Sequence, residues 1–155
     1  MIHHLNTVVQ QIKDPFIQSR YVGFVTVAAV TVYELAIKEI FYGFAQNKHR
    51  VFGQFTRSHF ERINGRIKRD EIEKYVEKFG VKYLDRFKTK VENIEKHFLK
   101  LQGISIKESY ANIITWRNQF AHEGQIPNTP TYDEVVKSYE AGKYVIICIG
   151  ESMNR

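Results

Sequence analysis

Apolar residues recur along the chain at steps of three and four in several separate stretches, the pattern of helices that bury one face. Ile2, Leu5, Val8, Val9 and Ile12 mark a short amphipathic helix that Asp14-Pro15 ends. From about Phe16 to Ala45 a long helix follows, apolar on most sides, with Val25, Ala28, Ala29, Val32, Ala36, Ile40 and Phe44 available for a core. Its β-branched residues (Val25, Thr26, Val27, Val30, Thr31, Val32) would also suit a strand. Length and the four-residue spacing of Glu34 and Lys38 select the helix. Tyr21, Phe24, Tyr33 and Tyr42 recur along this segment and read as core rings rather than a base-stacking platform.

The middle third is charged and helical. Asp70 suits an N-cap, Ile72, Tyr75, Val76 and Phe79 form an apolar stripe, and Gly80 terminates it. Val81, Leu84, Phe87, Val91, Ile94, Phe98 and Leu101 then predict an amphipathic helix ending near Gly103, while Ile104 to Ile106 is too short to assign. Lys107 to about His122 is helical again, with Tyr110, Ile113, Ile114 and Phe120 apolar and Gly124 just past the end. Pro127 and Pro130 mark a loop. Thr131 with Glu134 forms a capping box that opens a last helix, Tyr132 to about Ser152. The expected fold is all-α, a bundle of four to five main helices in a single domain over residues 1–155.

Composition narrows the class. With 43% hydrophobic residues, disorder is excluded. The one cysteine, Cys148, excludes an internal disulfide and a Cys-rich metal site, and suggests a reducing, cytoplasmic setting. Residues 2–6 (Ile2, His3, His4, Leu5, Asn6) resemble neither the basic nor the apolar part of a signal peptide. The uncharged stretch from Tyr21 to Tyr33 is shorter than the about 20 residues a membrane span needs. Charge is unevenly spread. Residues 48–107 carry sixteen basic and eight acidic side chains, whereas the segments before and after are neutral or slightly acidic, for a total of +6. Arg57, Arg62, Arg66, Lys68 and Arg69 form the densest run, a candidate phosphate-binding surface for RNA; the competing reading is a solvated helix face with internal ion pairs.

The chemistry-bearing stretch is Trp116-Arg117-Asn118-Gln119-Phe120-Ala121-His122-Glu123-Gly124. A histidine titrates near neutral pH and serves as acid or base, while an arginine forks onto two phosphate oxygens. On a regular helix Asn118 and His122 share a face, but Arg117 and His122 diverge by about 140°. They converge only if the helix frays near Gly124 or Arg117 reaches round. Structural readings compete: His122 as a helix C-cap, Arg117 as an ion-pair partner of Glu123, and Glu34 as an ordinary exposed position. The doublet His3-His4 and the single His49, His59 and His97 lack metal-ligand spacing, so no metal or cofactor is expected.

The string RNxxAHxG, with Tyr33-Glu34-Leu35-Ala36-Ile37-Lys38 on the first long helix, Lys78-Phe79-Gly80, Asp85-Arg86-Phe87 and a helix after the motif, resembles the RiboL-PSP-HEPN type of the HEPN superfamily. The resemblance implies a metal-independent endoribonuclease acting as a homodimer, of toxin or phage-defence type, cutting tRNA or other RNA. It implies His122 as acid or base, Arg117 and Asn118 as its companions, and Glu34 as a polar residue facing the cleft. An antitoxin or a larger defence complex is the partner such a protein would have. Trp116, Phe120 and Val145 to Ile149 are available for the dimer interface. Two other functions remain open: a non-catalytic HEPN module that binds RNA or a nucleotide, and a helical dimerisation or partner-binding protein.

Overall fold

The computed structural model describes residues 8–9, 11–61, 63–126 and 130–154, so most of the expected first short helix lies outside it. Six helices and no strand occur among the described residues. They are α1 (Pro15–Lys48), α2 (Arg50–Phe60), α3 (Arg69–Lys78), α4 (Val81–Gln102), α5 (Ile106–Glu123) and α6 (Tyr132–Met153). The all-α expectation holds, with one more helix than the four to five expected.

Asp14 opens α1 as well as closing what precedes it: its Oδ1 accepts the N–H groups of Phe16 (2.8 Å) and Ile17 (3.3 Å), with Pro15 in the first turn. The helix runs 34 residues, about 51 Å, and the strand alternative fails. Its core face needs correction. Val22, Thr26, Ala29, Val30, Tyr33, Ile37, Phe41 and Phe44 are buried. Ala28, Val32 and Phe24 face solvent, and Val25, Ala36 and Ile40 are only half-buried. A helix apolar all round hides its register, and the true face includes Thr26, whose hydroxyl donates to the Gly23 carbonyl at 2.7 Å.

The unexpected helix is α2. Its buried side is Gly53, Thr56 and Phe60, of which only Phe60 is a large apolar residue, so no stripe shows. His49 breaks the chain between α1 and α2 in an extended conformation, and its Nδ1 accepts the Val51 N–H as a cap. A β-carbon at Gly53 would lie 2.9 Å from the Gln46 Cα, so only glycine lets α2 fold so closely onto α1. Farther on, α3 starts one residue before the expected cap, at Arg69, with the Glu71 carboxylate accepting the Lys68 N–H. Phe41, Phe44, Phe60, Tyr75, Phe79 and Tyr83 then join α1 to α4 through ring contacts of 4.8 to 6.4 Å.

A buried carboxylate launches α5. Glu95 on α4 accepts the Ser105 hydroxyl (2.6 Å) and the N–H groups of Ile106 (2.8 Å) and Lys107 (3.2 Å), the donors a helix start leaves unpaired. The expected capping box of Thr131 and Glu134 opens α6. Tyr33 is central to the packing. Its ring stacks between Tyr110 (5.3 Å) and Tyr139 (5.2 Å), and its hydroxyl donates to the Tyr139 carbonyl at 2.6 Å. Burial pushes both the Tyr33 and Tyr110 hydroxyls far above the ordinary phenol range, keeping them neutral donors. Val145, Ile146, Cys148 and Ile149 are buried inside this single chain, which corrects their assignment to a dimer interface; of that run only Ile147 is exposed.

A β-carbon at Gly142 would meet the Tyr33 hydroxyl at 2.7 Å and the Tyr110 backbone at 2.9 Å. Gly142→Ala is therefore expected to cost about 1–3 kcal/mol, read as a lower urea midpoint with an unchanged slope. Cys148 is fully buried and its thiol is pushed up to about 11. A thiol reagent in mildly alkaline buffer should modify it only as the chain unfolds; rapid labelling of the native protein would contradict that packing.

Candidate functional site

Arg117, Asn118 and His122 occupy the last two turns of α5, which stays helical through Glu123 and ends on Gly124 in the left-handed conformation (φ 67°). The helix does not fray. Arg117 instead reaches round: its Nη1 donates to the Asn118 Oδ1 at 2.9 Å, towards the face that Asn118 shares with His122. His122 is exposed, whereas Arg117 and Asn118 are half-buried. No bond joins Arg117 to His122 within the chain.

The segment between α2 and α3 forms a wall against Arg117. Ile63 and Ile67 anchor it in the core, and the buried Tyr110 hydroxyl donates to the Ile67 carbonyl at 2.5 Å. Between them lies a tight turn closed by the Arg66 N–H on the Ile63 carbonyl (2.9 Å), with positive φ at both Asn64 (35°) and Gly65 (81°). That pattern favours Asn-Gly. The Gly65 N–H donates to the Glu34 Oε2 at 2.9 Å, while the bare Cα presents itself to the Arg117 guanidinium. The other Glu34 oxygen pairs with Lys38 Nζ at 2.8 Å, and Lys38 also donates to the Glu61 carbonyl. Glu34 thus meets Arg117 through one glycine. Arg117 itself enters no ion pair among the described residues, so the competing reading of a pair with Glu123 fails.

The basic run divides. Arg57 lies on α2 over the Tyr42 ring (4.4 Å), and Arg66 is exposed on the turn. Lys68 and Arg69 line a groove of about 450 Å³ with Lys107, Ala111 and Thr115 and with the carboxylates of Asp70 and Glu108. Ala111 and Thr115 sit on the α5 face that continues to Asn118 and His122. Arg69 also pairs with Glu73 at 3.5 Å. Arg62 lies outside the described residues. Two participants went unrecognised in the sequence: Asn64-Gly65, whose dipeptide signals a turn; and Arg20, whose Nη1 would lie 3.1 Å from a β-carbon at Gly124, beside the α5 terminus. Nothing local in the sequence marks Arg20. Among the described residues no group of three His, Cys, Asp or Glu side chains is placed to hold a metal ion.

The described residues form an all-α bundle in which Arg117, Asn118 and His122 share the last two turns of one helix. The family is specific: the RiboL-PSP-HEPN model matches residues 1–155, and the chain belongs to that family. No curated protein and no solved structure matches it significantly. Membership gives the chain a role connected with RNA or nucleotides; the family holds both ribonucleases and non-catalytic members. No helix among the described residues is long and apolar enough to cross a membrane.

An alanine at position 65 would place its methyl 2.2 Å from Arg117 Nη2, at a φ that disfavours any side chain. Gly65→Ala is expected to lower stability by about 1–3 kcal/mol and to shift the Arg117 side-chain resonance in an NMR spectrum. An unshifted resonance would mean that the guanidinium does not rest on this turn.

Proposed function

We propose that the protein is a metal-independent endoribonuclease whose active site is the end of α5. His122 takes the proton from a ribose 2′-OH, the freed oxygen attacks the adjacent phosphorus, and the P–O5′ bond breaks as an acid returns a proton to the departing oxygen. The products are a 2′,3′-cyclic phosphate and a 5′-hydroxyl. Arg117, steadied by Asn118, neutralises the charge that develops on the non-bridging oxygens. The observation that carries this reading is the Arg117–Asn118 bond, which turns an unpaired guanidinium towards the His122 face of α5.

One imidazole does not serve as base and acid in the same turnover, so the reading includes a homodimer in which the second copy contributes its own His122. Its support is a stripe of α1 that leaves Ile17, Phe24, Val32 and Leu35 exposed, Phe24 by 64%. Phe24 packs edge-on against Phe120 (5.1 Å), two residues before His122, so an interface here borders the site. The biology that fits is a toxin or phage-defence effector in the cytoplasm, acting on tRNA or another cellular RNA and held in check by an antitoxin or a larger complex. A second reading, a HEPN module that binds RNA without cutting it, draws on the divergence of Arg117 and His122 within one chain.

Total RNA incubated with EDTA separates these readings. Wild type should produce fragments with cyclic-phosphate ends, and His122→Ala or Arg117→Ala should lower the rate by about 10²–10⁴-fold while still binding RNA. Binding without any cleavage by wild type selects the second reading. Phe24→Asp should turn a dimer into a folded, inactive monomer in sedimentation; an unchanged sedimentation coefficient would reject the α1 interface.

A further inference from the structure

The surface formed by the end of α1 and by α2 is unused by the proposed chemistry. From Ile40 to Phe60 the chain has no carboxylate, against Lys48, Arg50 and Arg57. Yet α2 turns Phe55 (67%) and Val51 (64%) out to solvent. A ring so exposed contributes little to folding, and here it is not loose. Phe55 lies nearly parallel to the His59 ring (6.1 Å, 11°), and His59 stands edge-on to the buried Phe60 (4.9 Å, 87°). Ring by ring, the outer face is held from the core. Lys78 Nζ lies 3.4 Å from His59 Nε2, which places a cation at the edge of the pair.

What lies next along the chain sets the direction. Past the exposed Glu61 come the Asn64-Gly65 turn against Arg117 and then Lys68 and Arg69 at the groove along α5, which Asp70 and Glu108 also line. Arg50, Arg57, Arg66 and Lys68 have no ion-pair partner among the described residues. Flat, anchored rings edged by cations, followed by unpaired cations leading to the site, match a polyanion that also carries planar groups. A lipid surface fits less well, because two or three apolar side chains insert only weakly.

We propose that Phe55 and His59 form a stacking platform for unpaired nucleotides of an RNA strand whose phosphates then pass over Arg66 to Arg117. The inference rests on the α5 end being an RNA site and adds to it a requirement for single-stranded substrate. Stacking tolerates any base, so the platform selects for unpaired bases rather than for sequence. It answers a need of the site, since an in-line attack by a 2′-OH requires a backbone freed from the A-form helix.

The test measures binding separately from cutting. Full-length protein carrying His122→Ala is titrated with a labelled single-stranded RNA of about a dozen nucleotides, and with the same RNA annealed to its complement. Adding Phe55→Ala is expected to weaken single-strand binding about tenfold, with little change for the duplex or in the slope against salt. Adding Arg66→Gln is expected to lower that slope by about one phosphate contact. Unchanged single-strand affinity in the Phe55→Ala variant overturns the platform. So does a loss of dimer, or of binding to anionic vesicles, caused by the same substitution, because the ring then serves a second copy or a lipid. With His122 intact, cleavage that Phe55→Ala leaves untouched on single strands means the nuclease reading stands without the platform. Phe55-dependent binding by a wild type that cuts nothing means the reverse. Phe55 is exposed enough that an unaltered thermal unfolding curve is expected to show the variant folded.

Discussion

A carboxylate and a guanidinium sit near each other at the end of α5 without cancelling, and the Gly65 peptide is what keeps them apart. Its N–H faces Glu34 and its bare Cα faces Arg117. Glu34, half-buried, satisfies its charge on Lys38 and on that N–H, so it draws no charge from Arg117. A direct Glu34–Arg117 pair would have been the simpler way to bury both groups, and it would have left no positive charge for a phosphate. The arrangement depends on the turn staying where it is. Tyr110 holds the Ile67 carbonyl from α5, Glu34 holds Gly65 from α1, and Ile63 and Ile67 fill the core below. The Tyr33–Tyr110–Tyr139 stack locks the same two helices together. Core packing and site geometry are therefore one construction.

A helix C-terminus is an unfavourable place for an anion, since the last carbonyls carry partial negative charge. Here Arg117 from α5 itself and Arg20 from α1, beside Gly124, bring positive charge to that end, next to the exposed Glu123.

Helices with one polar face were legible from the sequence: α4, α5 and α6 lie where their stripes and caps put them, down to the Thr131–Glu134 box. Legibility failed at the two extremes of hydrophobicity. On α1, apolar residues on all sides left the core face undetermined, and the structure chose a face running through Thr26 rather than Val25. On α2, burial of Gly53 and Thr56 gives no apolar signal at all, because tight helix approach selects small residues. The candidate site divides in the same way. Arg117, Asn118 and His122 are neighbours in the chain and form a readable string. Glu34 was recognisable from the resemblance alone, and its link to Arg117 passes through a glycine thirty-one residues further on. A contact of that kind depends on the folded path of the backbone, which periodicity does not encode.

The unfrayed end of α5 bears on the proposed dimer. Since the helix remains regular to Glu123, Arg117 and His122 leave its axis about 140° apart, and Arg117 recovers part of that angle by bending to Asn118. What remains is a guanidinium lying against the turn and an imidazole projecting into solvent. A phosphate seated on Arg117 and Asn118 in one chain would thus approach that chain's own His122 from one side only. An in-line displacement places its base and acid on opposite sides of the phosphorus, and under the proposed mechanism a second copy would supply the other side. The exposed stripe of α1 borders this end through the Phe24–Phe120 contact, so a two-fold axis across it would direct another projecting imidazole to the open side. Under the proposed mechanism, regularity at the helix end and incompleteness of the single chain have the same cause.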